Sequence, residues 1–114
     1  MSKLTDLEIR KEISIILLNE QFPKAKSIEF DERQNCFWVE TVGFSSWPLL
    51  DPLTDDALNH QLMIKYKIDV LNPCKFVNAY VCFKSGNAAK IKATDKNLNK
   101  AICLAIIEAN KDIN

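Results

Sequence analysis

The residues best suited to chemistry lie in the middle of the chain, where three aspartates precede the single histidine. Asp51 comes directly before Pro52, Asp55 and Asp56 come shortly after it, and His60 follows closely. Carboxylates grouped in this way can hold a divalent cation or act as general bases. They equally suit a turn and the first turn of a helix, where backbone amides and the helix dipole stabilise negative charge. Because no complementary ligands accompany them, we interpret the aspartates as turn and capping residues.

A cysteine–histidine pair is the second chemistry to consider, since His60 could activate a nearby thiol. The cysteines are Cys36, Cys74, Cys82 and Cys103, and none of them forms a C-x-x-C pair. Zinc sites usually show such short spacings. Three of the four stand in strongly apolar contexts, Cys74 being the exception, so we expect those three to be buried as free thiols. The sequence therefore predicts no catalytic residue, no metal and no cofactor, with a small enzyme of unrecognised site as one alternative.

Two large apolar residues, Phe44 and Trp47, are the candidates for a protein-binding site. They stand between Gly43 and Pro48, in a segment that we predict to be irregular. Aromatic residues on a loop either cover the core or form an exposed contact patch. Covering the core is the commoner outcome, and the choice between the two decides whether this segment offers a binding surface.

The charge balance argues against a general affinity for nucleic acid. Lysine plus arginine and aspartate plus glutamate each number 15, so the net charge is zero. Binding to nucleic acid depends on neutralising several phosphates. A local basic patch is still an alternative, formed by five lysines that are close in sequence: Lys84, Lys90, Lys92, Lys96 and Lys100. The same lysines also suit the solvated face of a hairpin and a helix, which is the interpretation that we favour.

The elements that position these residues begin with a well-marked helix. Thr5 and Glu8 form a capping box, and Leu4 and Ile9 a hydrophobic staple, so we place the helix from residue 5 to about residue 20. Two strands of an antiparallel hairpin follow, near 27–30 and 36–42. They are separated by a polar turn at 31–35.

The residue pattern in the second half of the sequence predicts five elements. They are a helix capped by Thr54, a short strand at 67–71, a strand at 77–84, a strand at 89–93 and a final helix capped by Thr94. In the final helix Leu98, Ala101, Ile102, Ala105, Ile106 and Ala109 follow helical spacing. We therefore predict an α+β fold in one compact domain, residues 1–114, with the order α-β-β-α-β-β-β-α. Helices should cover a mixed or antiparallel sheet.

Several short segments together resemble a family of small tailed-phage proteins, the NinX-like family. They are Leu4–Ile9 (LTDLEI), Trp47-Pro48, Asp51–Ala57 (DPLTDDA), Lys65–Ile68 (KYKI) and Ala101–Ile106 (AICLAI). An asparagine- and cysteine-containing segment typical of the family's early part is not evident here. The resemblance implies a phage or prophage accessory protein of unknown function that works in the cytoplasm of a bacterial host, and it brings no catalytic residues.

We therefore expect a non-enzymatic protein that acts by binding a host or phage protein, for example as an inhibitor of a host defence protein. Nucleic-acid binding through the region from Lys84 to Lys100 is the alternative. The first residues lack the apolar core of a signal peptide, and no apolar run approaches the length of a membrane span. A cytosolic location without membrane contact follows as an expectation. A homodimer is compatible with it, because small α+β domains often leave a sheet edge or face to cover.

Overall fold

The structure is a computed structural model, which describes residues 4–71, 80–86 and 92–113. The chain divides into two compact units, Met1–Leu50 and Asp51–Asn114. Among the described helices, none is both long and apolar enough to span a bilayer. The elements confirm the α+β class, and the single domain inferred from the sequence stays a prediction.

The first unit opens with helix α1, Asp6–Gln21, whose predicted capping box is confirmed. The Glu8 amide donates to Thr5 Oγ1 over 3.1 Å, and the Thr5 amide donates to Glu8 Oε1 over 2.9 Å. These two reciprocal bonds satisfy amides that the helix itself leaves without partners. The buried Ser14 of α1 is also satisfied, because its Oγ accepts from the Leu50 amide over 3.0 Å.

An antiparallel sheet of three strands, here called the first sheet, completes this unit: β1 (Ser27–Asp31), β2 (Cys36–Glu40) and β3 (Phe44–Pro48), in the order β1-β2-β3. Asn35 closes the turn between β1 and β2 with a φ of 54°, a left-handed conformation that asparagine tolerates well. Trp38 of β2 pairs with Glu29 of β1 and with Ser46 of β3. This register determines which side chains share a face.

The core of the first unit lies on one face of the first sheet. Phe37 and Val39 of β2 are fully buried and contact Leu18 of α1. Phe30 packs against Phe37 with ring centroids 5.0 Å apart. The partly buried residues around this cluster are Ile15, Phe22, Ala25, Ile28, Phe30, Trp47 and Leu49.

The second unit contains α2 (Asp56–Lys65), β4 (Ile68–Leu71), β5 (Tyr80–Lys84), β6 (Lys92–Asp95) and α3 (Leu98–Ile113). The strands form an antiparallel sheet in the order β4-β5-β6, and α3 contacts all three. The α3 residues predicted to face the core are buried, except Leu98, which is exposed. Both sheets are antiparallel, which was one of the two arrangements expected, but the described residues form two sheets where we expected one.

Relative to the predicted elements, the structure adds one strand and moves two helix caps. The segment Phe44–Pro48, which we expected to be irregular, is strand β3. The cap of α2 is Asp55, whose carboxylate accepts from the Leu58 amide over 3.0 Å, whereas the Thr54 hydroxyl donates to Asp51.

The final helix also begins later than predicted. Thr94 pairs with Val81 inside β6, and Asn97 accepts from the Lys100 amide over 3.0 Å in the capping role expected of Thr94. Parts of the predicted strands, 77–79 and 89–91, lie outside the described residues.

Candidate functional site

The first sheet has a second face, here called the outer face, whose residues lie outside the core cluster of Leu18, Phe37 and Val39. Because side chains alternate along a strand and paired residues share a face, the register defines its members. They are Ser27, Glu29, Asp31, Cys36, Trp38, Glu40, Phe44, Ser46 and Pro48. The strand residues that form the core cluster or pack against it, such as Ile28, Phe37 and Trp47, all belong to the opposite face of the sheet, which agrees with this assignment. At one end of the outer face Cys36 is buried, and at the other end Phe44 is exposed.

Trp38 occupies the centre of the outer face and is half-buried. Its indole Nε1 donates to Asp31 Oδ2 over 3.1 Å. The other carboxylate oxygen of Asp31 accepts from the Arg33 and Gln34 amides. These bonds, led by the one from Trp38, lower the pKa of Asp31 below its ordinary value of 3.8. Asp31 is therefore held as an anion, and the indole is fixed in place.

The hairpin tip, Thr41–Phe44, carries two exposed apolar side chains. Phe44 is 70% exposed at the start of β3, and Val42 is fully exposed in the turn before it. The Thr41 amide donates to the Gly43 carbonyl over 2.9 Å, which closes the turn. Phe44 sits diagonally to Trp38, because Trp38 pairs with Ser46 two residues further along β3. At such a diagonal separation aromatic side chains can reach one another.

The two residues predicted for protein binding, Phe44 and Trp47, lie on opposite faces of β3. Trp47 belongs to the core cluster, where its ring lies 5.3 Å from that of Phe22 in an edge-to-face arrangement. Its Nε1 donates to Ser45 Oγ over 2.9 Å. Strand alternation separates the pair, so only Phe44 contributes to an exposed patch.

The five lysines of the nucleic-acid alternative are described only in part. The Lys84 ammonium donates to the Tyr66 carbonyl over 2.6 Å, which ties it to the end of α2. Lys96 is exposed, Lys100 is half-buried and Lys92 begins β6. Lys90 lies outside the described residues. Lys84 therefore serves the fold of the second unit, and nucleic-acid binding through these lysines stays an alternative prediction.

The second unit contains an open groove of about 700 Å³ beside α2 and the start of α3. Two of the acid–base candidates, Asp56 and His60, line it, while Asp51 and Asp55 do not. Asp56 Oδ1 accepts from Asn99 Nδ2 over 2.7 Å, and His60 is exposed. The remaining lining residues are Asn59, Met63, Val70, Asn97, Leu98, Asn99 and Ile102. The groove therefore combines apolar residues with amide, imidazole and carboxylate groups.

Asn59 is the most deeply buried polar side chain among the described residues of the second unit, with 2% of its surface exposed. Its Nδ2 donates to the carbonyls of Pro52 and Asn99 over 3.0 and 3.1 Å, and Cys103 Sγ lies 3.5 Å away. A single side chain thus joins the turn before α2 to the first turn of α3. This arrangement is structural, because both donor hydrogens of the amide are engaged inside the protein.

The cysteines predicted to be buried, Cys36, Cys82 and Cys103, are buried and free. Burial raises the pKa of Cys82 to about 11. Burial, together with the negative charge of Asp51, raises the pKa of Cys103 to about 12. Both thiols therefore stay protonated at neutral pH and are poor nucleophiles. In the parts of the chain that the structure describes, no three His, Cys, Asp or Glu residues are grouped to hold a metal ion.

Comparisons with protein-family models, with curated proteins and with solved structures found no match to this chain. The resemblance to NinX-like phage proteins therefore stays a prediction.

Trp38 and the acidic residues around it were not among the site residues predicted from the sequence. The signal was present, because Glu29 and Asp31 alternate with apolar residues along β1, and Trp38 and Glu40 do so along β2. Only the register shows that these four residues share one face.

Proposed function

We propose that the protein acts by binding another protein through the hairpin tip and the adjoining outer face of the first sheet. The observation that carries this proposal is the exposure of Phe44 and Val42 at one turn. A single exposed apolar side chain needs no explanation, but adjacent large ones mark interaction surfaces. Their burial by a partner would be favourable by about 25 cal/mol for each Å² of apolar surface removed from water.

The local structure supports a rigid binding surface at this position. Trp38 adds a half-buried ring to the outer face, and its bond to Asp31 restrains the ring before any partner arrives. Trp47 fixes β3 from the core side through its contact with Phe22. A surface that is ordered in advance loses little side-chain freedom on binding, which favours affinity.

The identity of the partner follows only from the phage resemblance. That resemblance favours a host or phage protein in a bacterial cytoplasm, and inhibition of a host defence protein is the concrete version that we propose. Tryptophan is enriched among the residues that dominate protein–protein affinity. Trp38 is therefore the residue expected to contribute most alongside Phe44.

The proposal is tested by comparing two double variants in capture from a host lysate. Val42→Thr with Phe44→Ser removes the apolar tip, and Leu7→Ser with Ile64→Ser removes two exposed apolar side chains elsewhere on the chain. Both variants should fold like the wild type, because exposed substitutions usually change stability by less than about 0.5 kcal/mol. We expect the wild type and the control to retain a stoichiometric protein partner and the tip variant to release it.

Two results would contradict the proposal. One is that the wild type captures no stoichiometric protein partner at physiological salt. The other is that the tip variant retains the partner as well as the control does, since the apolar tip would then play no part in binding.

A further inference from the structure

The outer face of the first sheet carries charge of a single sign. Its ionisable side chains, leaving aside the thiol of Cys36, are Glu29, Asp31 and Glu40, and no residue of β1, β2 or β3 is a lysine or an arginine. The nearest basic residues in sequence, Lys26 and Arg33, lie outside the strands. The whole chain, by contrast, balances 15 basic against 15 acidic residues. A surface whose charges share one sign attracts a partner of the opposite sign and disfavours one of the same sign.

An aromatic ring lies among these carboxylates. Trp38 pairs directly with Glu29 across the strands, and its indole is bonded to Asp31 over 3.1 Å. Glu40 follows two residues after Trp38 on the same strand and the same face. The face of an indole attracts ammonium and guanidinium groups, and neighbouring carboxylates strengthen this attraction with charge-assisted hydrogen bonds.

We propose that the segment bound by the outer face is basic, with lysine or arginine side chains placed between apolar ones. This inference rests on the proposed function and adds the chemistry of the partner. Phe44 and Val42 contact the apolar side chains, while Glu29, Glu40 and the ring of Trp38 receive the cations. A neutral or acidic segment would desolvate the carboxylates without supplying a counter-charge, which is unfavourable.

Two synthetic peptides of about ten residues test this inference, one alternating lysine with valine and the other alternating glutamate with valine. Tryptophan fluorescence of the full chain reports binding, with salt at about 50 mM and about 500 mM. We expect the lysine peptide to bind at low salt and to weaken at high salt. The glutamate peptide should not bind.

Matched variants separate the outer face from the overall charge. Glu29→Gln with Glu40→Gln removes two charges from the outer face, and Glu12→Gln with Glu108→Gln removes two exposed charges elsewhere. Asp31 is left unchanged because it holds the Trp38 indole. The first variant should bind the lysine peptide about tenfold more weakly, as expected for the loss of two ion pairs, and the second should bind it like the wild type.

The failures of this inference and of the proposed function can be distinguished. Equal binding of both peptides, binding of neither, or equal loss in the two glutamine variants overturns the basic character of the partner. If the lysate partner is nevertheless retained by the wild type and released by the Val42→Thr, Phe44→Ser variant, protein binding stands and only its chemistry was wrong. If a nucleic acid is captured instead, both are overturned.

Discussion

Replacing Asn59 tests the hydrogen bonds that hold the second unit together. The side chain is buried, and its amide nitrogen donates to the carbonyls of Pro52 and Asn99. Asn59→Ala removes both donors, so the two carbonyls lose these bonds. It also leaves a small cavity in place of the amide. Each buried acceptor that loses its partner costs about 1–3 kcal/mol. We therefore expect the free energy of unfolding to fall by about 3 kcal/mol, a large part of the 5–15 kcal/mol typical of a domain.

Asn59→Asp keeps the size of the side chain and turns its donors into acceptors. At neutral pH the introduced carboxylate faces two carbonyl oxygens, so the loss should exceed that of Asn59→Ala and reach about 4 kcal/mol. Burial and the carbonyls raise the folded-state pKa of this carboxyl above its unfolded value of about 3.9. The penalty is therefore smallest below that unfolded value and grows as pH rises toward the folded-state pKa.

Urea unfolding followed by circular dichroism measures these effects. With a slope of about 1.5 kcal/mol per M, a loss of 3 kcal/mol lowers the midpoint by about 2 M. Gln61→Ala, which truncates an exposed amide on the same helix, is the control and should change the midpoint little. A midpoint for Asn59→Ala within about 0.3 M of the wild type would refute the structural role of Asn59, as would an Asn59→Asp variant whose loss does not depend on pH.

Three further predictions concern single groups. Cys82 and Cys103 should react with iodoacetamide far more slowly in the native protein than in urea, because burial keeps both thiols protonated. Peptide mapping measures the two rates, and equal rates would contradict this. Because the pKa of Asp31 is lowered in the folded state, its carboxylate stabilises the fold at pH values above the ordinary pKa of 3.8. This stabilisation is lost as pH falls through the folded-state pKa. In the Asp31→Asn variant the free energy of unfolding should therefore fall less steeply as pH is lowered into the acid range. An unchanged pH dependence would count against the Trp38–Asp31 bond. Thr5→Ala should lower stability by about 1 kcal/mol through loss of the α1 cap, measured by urea unfolding, whereas Thr5→Ser should retain most of it.

The sequence predicted those elements whose signal is local. The α1 capping box and the apolar spacing of α3 specify their helices without help from distant residues, and both are confirmed. Strand β3 was missed because Ser45, Ser46 and Pro48 have low strand propensity. It forms because β2 pairs along its whole length with these residues and because Trp47 packs into the core beside Phe37. A tertiary contact therefore outweighs weak local preference at this strand.

The candidate site shows the same division between local and non-local information. The exposure of Phe44 and the burial of Trp47 both follow from strand alternation, which the prediction of an irregular loop concealed. The grouping of Trp38 with Glu29 depends on a pairing register between strands, which separate segments cannot reveal. Cap positions moved by one to three residues, from Thr54 to Asp55 and from Thr94 to Asn97, because several adjacent polar residues can cap a helix equally well.

The two sheets share a property that bears on how the chain folds. Each is a simple meander in which every strand pairs with its neighbour in sequence, β1-β2-β3 and β4-β5-β6. The connections of the first sheet, 32–35 and 41–43, are short. Short loops close with little loss of chain entropy, and a low contact order is associated with fast folding. The strand pairs of the first sheet are complete by Pro48, before α3 has been synthesised. The bonds from Asn59 to Asn99 and Cys103 join residues that are 40 and 44 positions apart, and such contacts are expected to form late.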